Sequence, residues 1–146
     1  MDTQVLIIGA GPVGLTLALD LGKRGIRCMI VEQKDKPAFL PKMERVNART
    51  MELYRRLGLA KKIRAAGLRG DIPMDVFVVL DLVQPPLLRL PYPSVDEATA
   101  DIRATTDGTA PLEAYQLISQ YTLEPLLAAE CEKDPNVTMN WGTAFL

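Results

Sequence analysis

Three glycines near the start of the chain, Gly9, Gly11 and Gly14, are spaced G-x-G-x-x-G, and one acid, Glu32, closes the apolar run "IRCMIVE" that follows. The glycine string alone is a weak signal, because glycines gather in many tight turns. Its surroundings give it meaning. The glycines follow the apolar run Val5-Leu6-Ile7-Ile8, open a helical stretch and lie in a compact strand–helix–strand unit whose second strand ends in an acid near the expected offset. A unit of this kind holds a diphosphate. Gly9 permits the tight turn out of the strand. Gly11 has no side chain, so phosphate oxygens can reach the main-chain N–H groups. Gly14 lets the helix pack closely on the strand. The phosphates then meet unpaired N–H groups and the positive end of the helix dipole, with Pro12 and Val13 completing the loop. Glu32 is placed to accept hydrogen bonds from the ribose hydroxyls of an adenosine. It would also repel a 2′-phosphate, and Gln33 beside it offers no compensating positive charge, so FAD or NAD is favoured over NADP. The fingerprint does not separate FAD from NAD.

The elements that must position these groups follow from periodicity. Val5 to Ile8 is continuously apolar, which predicts a strand covered on both faces. From Pro12 to about Lys23 the residues Val13, Leu17 and Leu21 recur at four-residue spacing, which predicts a helix. Pro12 is tolerated in a first turn, and Gly25 suits the left-handed residue after a helix. Ile26 to Glu32 is then a second strand, parallel to the first through a right-handed crossover. Residues 33–42 are polar, contain two prolines and read as a loop. "NARTMELYRRLG" predicts a helix ending at Gly58 with Leu53 and Leu57 on one face, and "LAKKIRAAG" a short second helix. "MDVFVVLDLV" and "PLLRLPYPS" read as two strands joined around Pro85-Pro86, and residues 94–114, without a clear period, as a long loop or lid. "SQYTLEPLLAAECEKD" is helical, with Leu123, Leu127 and Cys131 sharing a face. Pro125 falls in its first turn if Thr122 is the N-cap, and predicts a kink if the helix starts at Ser119. "NVTMNWG" is a final strand. There are no repeats, low-complexity tracts or evident linker.

Composition narrows the chemistry. The 146 residues suffice for one domain with a core, and 48% hydrophobic with 24% charged residues is ordinary for a globular chain. Seventeen basic against 18 acidic residues, net −1, provide no footprint for a nucleic-acid partner. With no histidine, a zinc site or catalytic triad using His is excluded within these residues. Cys28 and Cys131, far apart, predict free buried thiols and a reducing compartment. Val5 to Leu19 is uncharged, but it is shorter than the ~20 residues of a membrane span, and no Lys or Arg precedes it as in a secretory signal. The expectation is a cytoplasmic protein with no membrane partner.

Two further segments carry a family resemblance. "PKMERVNARTMELYRRLGL" and "YQLISQYTLEPLL" resemble the FAD-dependent aromatic hydroxylases, the single-component flavin monooxygenases related to p-hydroxybenzoate hydroxylase. With "PYPSV" ahead of the second segment, the chain is most similar to a branch acting on phenol-like and polyketide-like rings. The resemblance runs over essentially all 146 residues, with the motifs in the family's order. It implies an α/β fold: a Rossmann-like FAD-binding βαβ domain, a parallel sheet with flanking helices, plus a small β-hairpin portion of the substrate domain. On that division residues of about 70–114 belong to the substrate-side sheet and lid, and the whole of 1–146 is the N-terminal portion of the FAD-binding domain.

The resemblance also assigns residues. In the family an arginine seven positions before the arginine of the R-T-M-E motif contacts the flavin cofactor; counting back from Arg49 reaches Lys42. That is a departure, because lysine neutralises a phosphate only as a point charge, without the planar fork of arginine. Arg45, one helical turn on, is the second candidate, while Arg49 is left to orient the loop or pair with an acid. Gln120 matches a family glutamine at a helix start whose amide bonds the ribityl chain or nearby FAD groups, as a two-sided amide suits sugar-like hydroxyls. Glu124 recurs in the pattern and is read as structural, a favourable charge near a helix N-terminus. Trp141, Tyr115 and Tyr121 are read as packing residues.

The implied activity is hydroxylation of an electron-rich aromatic substrate by reduced FAD and O₂, with NAD(P)H as electron donor. The cofactor carries that chemistry, so no catalytic residue and no metal ligand is assigned. The family's later motifs, a D-G segment and a G-D segment, are absent, so the sequence is expected to be an N-terminal piece, inactive alone, whose sheet edge invites a homo-oligomer. Two alternatives stay open: another FAD or NAD oxidoreductase with a Rossmann fold, and a non-catalytic nucleotide-binding fragment.

Overall fold

The computed structural model describes residues 3–37 and 42–146. Strand β1 (Val5–Ile8), helix α1 (Pro12–Lys23) and strand β2 (Cys28–Glu32) form the predicted unit, and the two strands pair in parallel from Val5↔Cys28 to Ile8↔Val31. Gly25, with φ of 75°, turns the chain from helix to strand in the left-handed region that its lack of a Cβ permits. A long excursion follows: β3 (Arg45–Val46), α2 (Ala48–Arg56), α3 (Ala60–Ala66), β4 (Val76–Val78), β5 (Leu88–Leu90), α4 (Val95–Ala104), β6 (Gln116–Leu117) and α5 (Gln120–Cys131). Strand β7 (Val137–Trp141) then returns to pair in parallel with β2, from Cys28↔Val137 to Glu32↔Trp141. The sheet order β1-β2-β7, read from the far edge, is the 3-2-1 order of one mononucleotide-binding half of a doubly wound sheet.

One core holds this together. Ile7, Cys28 and Ile30 of the sheet meet Leu15, Ala18 and Leu19 of α1 and Leu123, Leu127 and Cys131 of α5, and Met51, Tyr54 and Ile63 extend the core under α2 and α3. The predicted apolar face of α5 is therefore buried, and both cysteines are free and buried as expected. Arg24 and Lys23 close α1, and Asn47 caps α2 by accepting the Thr50 N–H at 2.8 Å.

Several expectations change. Strand β1 is not covered on both faces: Ile7 is buried, but Leu6 and Ile8, on the side away from α1, are 46% and 61% exposed. Helix α1 buries a different stripe from Val13, Leu17 and Leu21. Its inward face is Leu15, Ala18, Leu19 and Gly22, whereas Val13 is 83% exposed. Both stripes fit the helical period, and residue size decides between them. A Cβ on Gly22 would sit 2.4 Å from a carboxylate oxygen of Asp134, so close approach needs the small residues inward. In α2 the buried residues are Met51 and Tyr54, with Leu53 and Leu57 only partly covered.

Residues 94–114 are not a continuous loop. Helix α4 occupies Val95–Ala104 and is set by a capping box: Ser94 Oγ accepts the Glu97 N–H at 3.2 Å, and the Glu97 carboxylate accepts the Ser94 N–H at 2.7 Å. Strands β3 and β6, a two-residue antiparallel pair matching Arg45 with Leu117 and Val46 with Gln116, were also not foreseen, since two residues have no period. Helix α5 starts on the Ser119 side, so Pro125 is inside it, and the helix runs on to Cys131. The predicted hairpin is present as β4 and β5, antiparallel, from Val76↔Leu90 to Val78↔Leu88. Among the described residues no helix is long and apolar enough to cross a membrane.

Candidate cofactor site

The carboxyl ends of the parallel strands and the start of α1 border a cavity of about 150 Å³. Ligands of open α/β sheets settle at this end. The three glycines have three separate geometries there. Gly9 has φ of 101°, which carries the chain out of β1, and its N–H donates to the Val31 carbonyl at 2.8 Å. A Cβ on Gly14 would stand 2.1 Å from the Gly9 carbonyl oxygen, so only glycine lets α1 pack on the turn. A Cβ on Gly11 would meet nothing within 4 Å, and Gly11 lines the cavity. The loop therefore leaves open space where its main chain faces outward. Pro12 occupies the first position of α1, where the first-turn N–H groups have no intrahelical acceptor.

Glu32 closes the other side. Its Oε2 accepts the Ala10 N–H at 2.9 Å and its Oε1 accepts the Lys34 N–H at 3.0 Å. Partial burial pushes the Glu32 carboxyl upward, but the N–H groups of Ala10 and Lys34, the Lys34 charge and the Gln33 N–H outweigh it and hold the group below its ordinary 4.5. The carboxylate thus ties the glycine loop to the end of β2, a role not read from the sequence. Gln33 is exposed and does not line the cavity.

Lys42 lies at the rim, and its N–H donates to Gln120 Oε1 at 2.9 Å. Arg45 is in β3 rather than on a helix; its guanidinium sits 5.9 Å from the centre of the Tyr115 ring and borders a separate apolar groove with Pro12, Val13 and Thr16. The structure therefore brings Glu32, Lys42 and Gln120 together with Gly11, and sets Arg45 on the far side of the α1 start. Arg49 pairs with Glu52 at 3.0 Å, one of its two expected fates. Trp141 packs on the core and also borders the cavity. Tyr115 donates to the Pro93 carbonyl, whereas Tyr121 is about half exposed.

Lys34, Lys36 and Pro37 line the cavity without having been assigned to it, and Glu124, read as structural, lines it too. The lysines had a signal in the run "EQKDK", which puts two cations two and four residues after the acid. Glu124 is only 4% exposed and lies four residues from Gln120 on α5, so the two side chains share a helix face.

Comparison with known proteins decides the family: residues 2–146 match the FAD binding domain family. The chain belongs to that family. This FAD binding domain is 33% identical over 146 residues to aklavinone 12-hydroxylase RdmE of Streptomyces purpurascens, covering 99% of this chain and 26% of that one. It is 34% identical over 139 residues to the FAD-dependent monooxygenase apdD of Emericella nidulans, covering 94% of this chain and 22% of the relative. Among solved structures it resembles an aklavinone-11 hydroxylase in ternary complex with FAD and aklavinone, with TM-score 0.82, 28% identity, and coverage of 99% of this chain and 26% of that one. It also resembles the rebeccamycin biosynthetic enzyme RebC with reduced flavin, with TM-score 0.79, 34% identity, and coverage of 95% and 25%. The FAD binding domain thus spans about a quarter of the length of the relatives it matches. Its Rossmann-like βαβ fold with a parallel sheet is the fold expected from the sequence.

Proposed function

We propose that this domain holds the adenosine and diphosphate half of FAD for a monooxygenase that hydroxylates a phenolic or polyketide-like aromatic substrate with NAD(P)H and O₂. The observation that carries the reading is the glycine loop. Gly14 is sterically obligatory for the fold, while Gly11 faces open space where a side chain would obstruct a ligand. A group with two phosphates fits that arrangement. It would be met by the main-chain N–H groups of Gly11 and of Val13 onward, Pro12 having none to give, and by the Lys42 charge at the rim. Glu32 and the Gln120 amide would take the sugar-like hydroxyls. When bound, FAD supplies the redox and oxygen chemistry, and the chain's own residues bind and orient it.

The substrate class is supported by the aklavinone hydroxylases among the relatives, and NAD(P)H follows from the family resemblance. Residues of about 70–114 are assigned to the substrate side, which is supported by a hairpin that stands apart from the parallel sheet. The net charge of −1 supports a small-molecule partner over nucleic acid. The two free, buried cysteines support a reducing compartment such as the cytoplasm. The test is titration of the chain with FAD and with ADP, followed by flavin fluorescence and calorimetry. Saturable binding of both is expected, lost in Gly11→Leu; binding of neither would overturn the reading. In a protein carrying this domain at the length of its relatives, substrate-stimulated NAD(P)H oxidation is expected, and a flavin that NAD(P)H fails to reduce would remove the hydroxylase assignment.

A further inference from the structure

We propose that Glu124 is a positioning residue of the cofactor cavity: it sets the Gln120 amide and, through it, clips the Lys42 loop to helix α5. The inference rests on reading this cavity as the FAD site. Glu124 Oε1 lies 2.6 Å from Gln120 Nε2. The Gln120 amide donates from its nitrogen to the Glu124 carboxyl oxygen, which turns the amide oxygen away. That oxygen accepts the Lys42 N–H at 2.9 Å. Both ends of the amide are thereby fixed. One Nε2 hydrogen goes to Glu124, and the other remains for an acceptor in the cavity that both residues line.

The surroundings make this arrangement more than a local cap. The segment that carries Lys42 is tied to the start of α5 by the Gln120 N–H to the Met43 carbonyl at 3.0 Å and the Ile118 N–H to the Glu44 carbonyl at 3.1 Å. The Gln120 side chain is the tie that reaches Lys42 itself. A carboxylate 4% exposed is costly to bury for packing alone, and apolar residues already flank it at Leu123 and Leu127. Its position four residues from Gln120 sets the two side chains one above the other on α5. The family position of Gln120 thus depends on a neighbour whose own atoms need not touch the cofactor.

The test uses the chain with FAD, followed by flavin fluorescence, and the Gln120 side-chain amide, followed by ¹H–¹⁵N NMR without cofactor. Glu124→Leu is expected to weaken FAD binding about tenfold, the worth of one charge-assisted hydrogen bond. Glu124→Asp, which keeps the charge but shortens the reach, is expected to do the same and serves where the leucine variant does not fold. Glu124→Gln should restore most of the affinity, because its carbonyl can accept the same hydrogen. In a Gln120→Ala background, Glu124→Leu should cost nothing more. The Gln120 amide protons should shift in Glu124→Leu and Glu124→Asp with no ligand present. An unmoved Gln120 amide, an unchanged FAD affinity, or a loss that persists in the Gln120→Ala background would each overturn the positioning role. A shifted Gln120 amide in a chain that binds no FAD would instead overturn the cofactor reading on which the role rests.

Discussion

Gly11 and Gly14 stand three residues apart and are expected to answer substitution in opposite ways. Gly14→Ala drives a Cβ into the Gly9 carbonyl at 2.1 Å and should lower the melting temperature sharply. A Cβ at Gly11 meets no atom within 4 Å, so Gly11→Leu should leave the melting temperature nearly unchanged while abolishing FAD binding. Equal thermal effects would contradict the division of roles. Glu32 belongs to the same scale. Glu32→Ala should weaken FAD binding by ~1.5–3 kcal/mol, as loss of a charged hydrogen bond does, read by titration. Its folded carboxyl is held below the ordinary 4.5, so its contribution to stability is present above that pH and lost as pH falls through the folded value. Melting temperatures of the chain and of Glu32→Gln should therefore differ at neutral pH and converge in acid.

At the scale of elements, α4 depends on its cap. Ser94 is buried and satisfies the Glu97 N–H, so Ser94→Ala should cost about 1 kcal/mol and raise amide exchange at the start of α4 before any other helix responds. The signal for this helix was present as S-x-x-E in "SVDE", but no apolar period followed it: of α4's residues only Val95 is buried. The packing of α5 against α1 has its own chemical signature. Burial, and then the charges of Cys28, Asp134, Glu132 and Glu130, push the Cys131 thiol up to about 12, and burial raises Cys28 in the same direction. A raised thiol stabilises the fold fully below its ordinary 9.0, and that stability is lost as pH rises toward 12. Both thiols should resist alkylation at pH 8 until the chain is unfolded, and thermal stability should fall steeply above about pH 9.

Across the whole molecule, apolar surface is distributed unevenly. The core under α1 and α5 is closed, whereas the β4–β5 hairpin exposes Phe77, Leu80, Leu82 and Val83, with Leu82 97% exposed. A two-stranded hairpin is marginal alone, and apolar strands without cover invite association. The double substitution Leu82→Lys and Val83→Lys should reduce concentration-dependent association in sedimentation velocity while leaving the melting temperature unchanged. A chain that remains monodisperse before substitution would contradict this. The hairpin's place is consistent with a domain spanning about a quarter of its relatives, in which much more polypeptide is available to meet that surface.

The sequence by itself determined the strand–turn–helix–strand unit and the separate geometries of Gly9, Gly11 and Gly14, because steric and dihedral limits are local and act within a few residues. It also determined the apolar face of α5, since Leu123, Leu127 and Cys131 form one period. Which stripe of α1 turns inward was left to tertiary packing: two stripes satisfied the helical repeat, and the contact of Gly22 with Asp134, more than a hundred residues on, selected the smaller one. The meeting of Glu32, Lys42, Gln120 and Glu124 was likewise decided only in three dimensions. Glu32 bonds the glycine loop, the Lys42 N–H bonds the Gln120 side chain, and all four line one cavity; no periodicity encodes a contact between residues 78 apart such as Lys42 with Gln120.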